Sequence, residues 1–207
     1  GVQTCALPIL NFLYLNMIAF FISTVAQADS CRWPDTEAHA TLAGQLVSLR
    51  YIDHIPQEEL HAIVPAYIGK AKNGVYRYRI VYKSENPRGD LLNVSGLVVV
   101  PDTCENDYPL INWQHGTVVH NSRAPSQRHH LGRVEASQGF LVLSQDYIGY
   151  GASAGEVHPY GIASSYGRTG VDMILAFRQA VSQHLALKRD IFIQGYSEGG
   201  YGAFALQ

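Results

Sequence analysis

The sequence is poor in charged residues and in cysteine, and both shortages narrow the possible functions. Lysine, arginine, aspartate and glutamate make up 15% of the 207 residues, and the net charge is -2. This near-neutral balance offers no basic surface for nucleic acid, so we predict no nucleic-acid partner. Three cysteines are too few for a small scaffold held together by disulfides. Hydrophobic residues make up 47%, which favours a globular chain over a disordered one.

Charged residues are absent altogether from residues 1–28. Residues 1–9 (GVQTCALPI) resemble the translation of a common sequencing adapter, and we interpret them as an artefact. Residues 10–28 form an apolar run ending in Ala-Gln-Ala, which is typical of a secretory signal peptide and its cleavage site. A membrane anchor is the alternative, but a membrane span needs about 20 apolar residues, and the apolar run from Leu10 to Val25 is shorter than that. We therefore predict a secreted or periplasmic protein, not stably inserted in a membrane, with residues 29–207 as its mature part.

Export would place the mature part in an oxidising compartment, where disulfides persist. The mature part contains two cysteines, Cys31 and Cys104. A bridge between them would tie the new N-terminus to the loop after a predicted strand. The sequence does not fix the distance between the two side chains, so a bridge and two free thiols both remain open.

The mature part alternates predicted strands and helices. Residues 75–83 alternate and are rich in tyrosine and β-branched residues, which predicts a strand. Residues 91–100 predict a second strand, and a hairpin loop at 86–90 joins the two. Three short apolar runs predict strands that are buried on both faces of a parallel sheet, at 109–114, 140–145 and 190–194.

A helix is predicted between the last two of these runs, because apolar residues recur at helical spacing from Val171 to Leu185. Strand, helix and strand in this order form a βαβ unit. Residues 36–70 are predicted to be mostly helical. Together these elements predict a single domain of the α/β class, with a mostly parallel sheet flanked by helices.

The most specific motif is GYSEGG at 195–200, which follows a predicted strand and opens a predicted helix. It is the G-x-S-x-G nucleophile elbow in the context that this motif requires. The tight turn forces strained dihedral angles on Ser197, and Gly195 and Gly199 leave room for it because they lack side chains. We predict Ser197 as the catalytic nucleophile and the backbone N–H of Glu198 as one oxyanion donor. The alternative is a glycine-rich turn with an idle serine.

The sequence His115-Gly116-Thr117 directly follows another predicted strand. By chain order this loop supplies the second oxyanion N–H. Gly116 and Thr117 are the predicted donors, because a glycine lets the backbone approach a substrate carbonyl closely. His115 is predicted to organise the loop rather than to act as the general base. A plain strand-to-loop turn is the alternative.

The segment DYIGYGAS at 146–153 follows a third predicted strand. Asp146 is predicted to hold backbone N–H groups of the loop. It is not predicted to be the acid of a Ser-His-Asp triad, because in proteins with this nucleophile elbow the acid follows the serine in the chain. Tyr147 is predicted to line the pocket. We interpret His129 and His130 as loop or helix surface, and we predict neither a metal nor a cofactor.

Taken together, HGT, DYIGYGAS, HPYG at 158–161 and GYSEGG resemble the α/β-hydrolase superfamily, and within it the secreted lipase and esterase branch. The resemblance extends from about residue 96 to residue 207. It implies hydrolysis of carboxylic esters without a cofactor. By this resemblance Ser197 is the nucleophile, and the oxyanion lies among Gly116, Thr117 and Glu198.

One departure from the superfamily pattern is that no histidine follows Ser197. The acid and the histidine are both expected after the serine, which is a weak nucleophile without a base. We therefore expect these residues to be an N-terminal fragment that is inactive on esters. We also expect poor solubility, because the strand at 191–193 exposes an apolar edge. A serine peptidase or acyltransferase on the same fold, and a non-catalytic hydrolase-like protein, remain alternatives.

Overall fold

Seven strands form one sheet in the described part of this computed structural model, which comprises residues 31–105, 107–182, 184–185 and 190–207. The strands are β1 (Thr36–Glu37), β2 (Leu46–Ile55), β3 (Val75–Glu85), β4 (Leu91–Pro101), β5 (Leu110–Gln114), β6 (Leu141–Gln145) and β7 (Ile191–Gly195). Their order across the sheet is β1-β2-β3-β4-β6-β5-β7. The first four strands pair antiparallel in succession, and β6 is antiparallel to β4. Because β5 pairs parallel with both β6 and β7, the sheet is mixed rather than mostly parallel.

The helices of the described residues are α1 (Gln57–His61), α2 (Pro125–Arg128), α3 (Arg133–Ser137), α4 (Ala163–Val181) and α5 (Glu198–Leu206). Two short 3-10 turns lie at Asn121–Arg123 and Gly151–Ser153. All of these elements lie within one compact unit, Trp33–Gln207. No helix among the described residues is long and apolar enough to cross a membrane.

Helices cover both faces of the sheet. Alternate residues of β4 point to opposite faces, as in any strand. Leu97 joins a buried cluster that includes Leu60 of α1 and Ala136 of α3. On the other face, Gly96 lies against the side chain of Met173 in α4. Full burial of a leucine side chain contributes about 1.5–3 kcal/mol, so this layered packing is the main source of stability.

The structure confirms the α/β class and most of the predicted elements. The strands predicted over 75–83, 91–100, 109–114, 140–145 and 190–194 correspond to β3, β4, β5, β6 and β7. The predicted βαβ unit is present, because α4 joins β6 to β7 and both strands run parallel to β5. The helix begins earlier than predicted, at Ala163.

The prediction that residues 36–70 are mostly helical is wrong. The region contains β1, the long strand β2 and only the short helix α1. β2 pairs with β3 along its whole length, but the register shifts between Leu46 and Ser48 and again between Tyr51 and Asp53. Such bulges interrupt the two-residue alternation by which a strand is recognised in a sequence.

The prediction that β7 is buried on both faces is also wrong, whereas the predicted apolar edge is confirmed. Among the described strands, β7 pairs only with β5 and lies at the end of the strand order. Phe192 is 55% exposed and Ile193 is 36% exposed. An edge strand with apolar side chains in water favours pairing with another chain, so poor solubility stays a prediction.

The N-terminal predictions fall on residues that the structure does not describe. The adapter-like segment 1–9 and the signal peptide 10–28 both lie outside the described residues. Cys31 and Cys104 are each disulfide-bonded. The pairing of these two cysteines with one another stays a prediction.

Candidate active site

Ser197 occupies the turn between β7 and α5, and its backbone is strained. Its φ is 56° and its ψ is -122°, a region that residues with a side chain rarely adopt. Holding one residue in such a region costs about 1–3 kcal/mol and persists only where the surrounding structure enforces it. The serine side chain is exposed at the end of β7. This is the strand-turn-helix geometry of a nucleophile elbow.

Two glycines make the turn sterically possible. A Cβ on Gly195 would overlap the carbonyl oxygen of Gly199, well inside 3.0 Å. A Cβ on Gly199 would overlap the carbonyl oxygen of Gln114 at the end of β5 in the same way. The glycine spacing in GYSEGG is therefore a packing requirement of this turn against the neighbouring strand.

The HGT loop lies beside the serine. β5 and β7 are parallel, and Gln114 is paired with Gly195, so the loops that follow them leave the same edge of the sheet. A Cβ on Gly116 would lie 3.5 Å from the Cβ of Ser197. The N–H of Glu198 is in the first turn of α5, where helical N–H groups have no partner within the helix. The predicted oxyanion donors thus lie on two segments that meet at Ser197.

The Glu198 side chain has a position that the sequence analysis did not anticipate. It is 7% exposed and points away from solvent. Its Oε1 accepts a hydrogen bond from Nε2 of His158 at 2.8 Å and another from the hydroxyl of Tyr166 at 2.7 Å. The carboxylate also hydrogen-bonds the side chain of Thr117. It therefore joins α5, α4, the HPYG segment and the HGT loop.

The protonation state of this carboxyl follows from its surroundings. Burial alone would raise the pKa of Glu198, but the three hydrogen bonds to it outweigh burial and hold the pKa below its usual value of 4.5. The group is therefore anionic at neutral pH.

His115 is held inside its own loop. Its Nδ1 lies 2.7 Å from the carbonyl oxygen of Gly116, and its Nε2 lies 3.2 Å from the carbonyl oxygen of Asp146. Burial lowers the pKa of His115. With both nitrogens facing backbone carbonyls, the ring fixes the loop and has no free nitrogen to accept the proton of Ser197.

The sequence analysis predicted that Tyr147 lines the pocket. In the structure its ring is buried against the HGT loop instead. It is 3% exposed and its φ is 68°, an unusual value for a large side chain. Its hydroxyl donates to the carbonyl oxygen of His115 at 3.0 Å, and the two rings lie 4.1 Å apart. The strained backbone thus places this ring under the loop.

Asp146 is fully buried. Its Oδ1 accepts the backbone N–H of Ser126 at 2.7 Å. Its Oδ2 accepts the hydroxyls of Ser126 and Ser95, each at 2.5 Å. Its carboxylate hydrogen-bonds no histidine among the described residues, a geometry suited to holding loops rather than to orienting a catalytic base.

No histidine in the described part of the chain hydrogen-bonds the hydroxyl of Ser197. His129 is bonded to the carbonyl oxygen of Ser126 at the end of α2, and His130 is half-buried nearby. No group of three or more His, Cys, Asp or Glu side chains that could hold a metal ion occurs among the described residues. Within the described part of the chain, the site therefore places an exposed serine beside the predicted oxyanion donors, with no histidine bonded to its hydroxyl.

Several solved structures are similar to the chain. A variant of the rice cell wall degrading esterase LipA from Xanthomonas oryzae matches with a TM-score of 0.71 and 25% identity, over 80% of this chain and 45% of that one. A ligand-bound form of that esterase matches with a TM-score of 0.72 and 24% identity, over 80% and 45%. Candida antarctica lipase A in its closed state matches with a TM-score of 0.55 and 19% identity, over 79% and 37%.

These neighbours are esterases and lipases, and the chain has their α/β-hydrolase fold. The chain spans less than half the length of the neighbours it matches. No protein-family model and no curated protein matches it.

Proposed function

We propose that the chain is the nucleophile-bearing part of a secreted serine hydrolase that cleaves carboxylic esters through an acyl-enzyme on Ser197. The observation that carries this proposal is the strained backbone of Ser197 at a strand-to-helix turn, directly beside Gly116 of the HGT loop. Strain of this kind is retained where it presents a reactive group. The similarity to an esterase at 25% identity supports ester chemistry.

The proposed reaction has two steps. The hydroxyl oxygen of Ser197 attacks the ester carbonyl carbon while a base removes its proton, and the carbonyl oxygen becomes an oxyanion. The backbone N–H groups of Glu198 and of Gly116 or Thr117 stabilise that oxyanion. Collapse of the intermediate expels the alcohol, which takes the proton, and leaves an acyl-serine. Water, activated by the same base, then hydrolyses the acyl-serine to the free acid.

The base is proposed to be a histidine outside these 207 residues. The described histidines near Ser197 are hydrogen-bonded to other groups. His115 contacts two carbonyl oxygens, and His158 contacts Glu198 and the carbonyl oxygen of Ile148. The structural neighbours are more than twice as long as the matched region, which leaves room for such a residue. We accordingly propose that these 207 residues alone do not turn over esters.

A serine peptidase or an acyltransferase would use the same elbow and the same oxyanion donors. The three functions differ in what leaves the acyl-enzyme and what attacks it. The names of the neighbours favour the esterase, because they are an esterase and a lipase.

The test uses the full-length protein and the variant Ser197→Ala. Both are assayed on p-nitrophenyl esters of different acyl length and on matched peptide anilides, with a fluorophosphonate probe to label a reactive serine. We expect ester turnover that falls by about 10⁶-fold in Ser197→Ala, together with loss of labelling. Hydrolysis of anilides but not esters would favour the peptidase. Ester turnover that survives the substitution would overturn the assignment of Ser197.

A further inference from the structure

The residue after the proposed nucleophile carries a buried negative charge, which is an unexpected feature at an oxyanion site. An anion developing on the substrate next to the N–H of Glu198 would be opposed by the carboxylate of that same residue. The pairing of the carboxylate therefore bears on catalysis as well as on stability. The histidine that hydrogen-bonds this carboxylate is His158, at 2.8 Å.

The hydrogen bonds of His158 define its protonation state. Its Nδ1 lies 2.8 Å from the carbonyl oxygen of Ile148, and its Nε2 lies 2.8 Å from Oε1 of Glu198. A backbone carbonyl and a carboxylate can only accept hydrogen bonds. A neutral imidazole has a single N–H, so both bonds form together only when the ring carries two protons and a positive charge.

The aromatic surroundings of His158 suit a cation. Tyr147 lies nearly parallel to the ring, with an interplanar angle of 16° and a centroid distance of 5.9 Å. Three further tyrosine rings lie 5.2 to 6.1 Å from it: Tyr150, Tyr160 and Tyr166. A cation within about 6 Å of an aromatic face is attracted by the ring quadrupole. The titratable groups facing His158 are thus these four phenols and the carboxylate of Glu198.

We propose that His158 and Glu198 form a buried imidazolium–carboxylate pair that positions the oxyanion-binding backbone and cancels the negative charge beside it. Both are positioning residues, since neither side chain touches the reacting atoms. The pair holds the start of α5 to the HPYG segment. The hydrogen bond between the Glu198 carboxylate and Thr117 also fixes the HGT loop to the start of α5. This inference rests on the proposed esterase function, because it assigns the pair a role at that oxyanion site.

The charge role separates this proposal from a purely structural one. Removing His158 alone leaves an uncompensated carboxylate beside the oxyanion. Removing both charges leaves a neutral site of nearly the same shape. In a pair that only holds the backbone, either substitution breaks the same bond, so the second one leaves the loss unchanged or deepens it. In a neutralising pair, the second substitution restores activity.

The experiment measures kcat and KM for ester hydrolysis by the full-length protein and three variants: His158→Gln, Glu198→Gln and the double variant. Glutamine keeps a hydrogen-bonding group of similar length at each position and removes the charge. We expect kcat to fall about 10²-fold in His158→Gln, with KM changed less than about threefold, as for the loss of one oxyanion interaction. We expect the double variant to recover at least about tenfold of that loss.

The matched control is His54→Gln. His54 forms a similar pair with Asp102 at 2.9 Å, on β2, far along the sheet from Ser197. Its kcat should equal that of wild type. A fall in kcat in His158→Gln that the second substitution deepens or leaves unchanged would overturn the neutralising role.

A second readout does not depend on activity. The full-length protein is labelled with 15N-histidine, and the His158 resonances are identified by their loss in His158→Gln. At pH 7 we expect two protonated ring nitrogens for this residue. A neutral ring would overturn the inference even in a fully active enzyme. If instead wild type shows this doubly protonated ring but no serine-dependent ester turnover, the proposed function fails while the charged pair stands.

Discussion

Asp146 receives two hydrogen bonds from Ser126: its Oδ1 accepts the backbone N–H at 2.7 Å and its Oδ2 accepts the hydroxyl at 2.5 Å. A third hydrogen bond comes from the hydroxyl of Ser95 on β4. The carboxylate thus ties the start of α2 and the strand β4 to the end of β6. It is fully buried, so each of these donors depends on it.

We expect Asp146→Asn to destabilise the full-length protein by about 2–4 kcal/mol. The amide nitrogen would face hydrogen-bond donors, and at least one buried donor would lose its acceptor. Urea unfolding followed by circular dichroism measures the change. Ser126→Ala is the matched control, and it should cost about 1 kcal/mol because it removes only the hydroxyl bond. An Asp146→Asn variant as stable as wild type would contradict this account of the loop.

Local patterns predicted most of the fold, and long-range pairings account for what they missed. The β3 strand is recognisable because apolar and polar residues alternate along it, and β4 is recognisable because it is rich in β-branched residues. β2 was missed because bulges between Leu46 and Ser48 and between Tyr51 and Asp53 shift that alternation.

The candidate site divides in the same way. The nucleophile turn is encoded locally, since the close approach of Gly195 to Gly199 needs only the GYSEGG spacing. The pair of His158 and Glu198 is not encoded locally. Its members lie 40 residues apart in the chain and are brought together by tertiary packing, which includes the contact of α4 with α5. HPYG belongs to the motifs that carry the family resemblance, but a motif does not state which carboxylate its histidine meets.

His130 should make stability depend on pH. Its Nδ1 is buried without a hydrogen-bond partner among the described residues. Burial, reinforced by nearby arginines, lowers its pKa from 6.5 to about 4. The folded state therefore binds this proton less readily than the unfolded state does. The stability that the neutral ring contributes is complete above pH 6.5 and is lost as the pH falls towards 4.

We expect wild type to lose on the order of 1–2 kcal/mol more than His130→Gln between pH 7 and pH 4, after allowance for solvent screening. Urea midpoints of the full-length protein at several pH values in this range give the comparison. His39→Gln, a change at an exposed histidine, is the control for generic effects of removing one imidazole. Parallel curves for wild type and His130→Gln would contradict the buried neutral ring.

Cys31 and Cys104 should be found in one linked peptide. Each is disulfide-bonded, and residues 29–207 contain no third cysteine. We expect proteolysis of the full-length protein without reductant, followed by mass spectrometry, to yield Cys31 joined to Cys104. Reduction should lower the free energy of unfolding by about 2–4 kcal/mol. Two alkylatable thiols in the native, unreduced protein would contradict the bridge.

Gly199 and Gly200 are adjacent in α5, yet the same substitution should have opposite effects at them. A Cβ on Gly199 would overlap the carbonyl oxygens of Gln114 and His115, which belong to rigid backbone. A Cβ on Gly200 would meet no atom within 4 Å. Because glycine in a helix is less favourable than alanine, Gly200→Ala should stabilise the full-length protein by about 0.5–1 kcal/mol. Gly199→Ala should instead push α5 away from β5, costing about 3 kcal/mol or more and abolishing labelling of Ser197 by a fluorophosphonate. Thermal melting and probe labelling of both variants measure these effects.

The contradicting result is a Gly199→Ala variant that melts and labels like Gly200→Ala. It would show that the turn does not pack against β5 and that Gly199 is not a steric requirement of the nucleophile elbow.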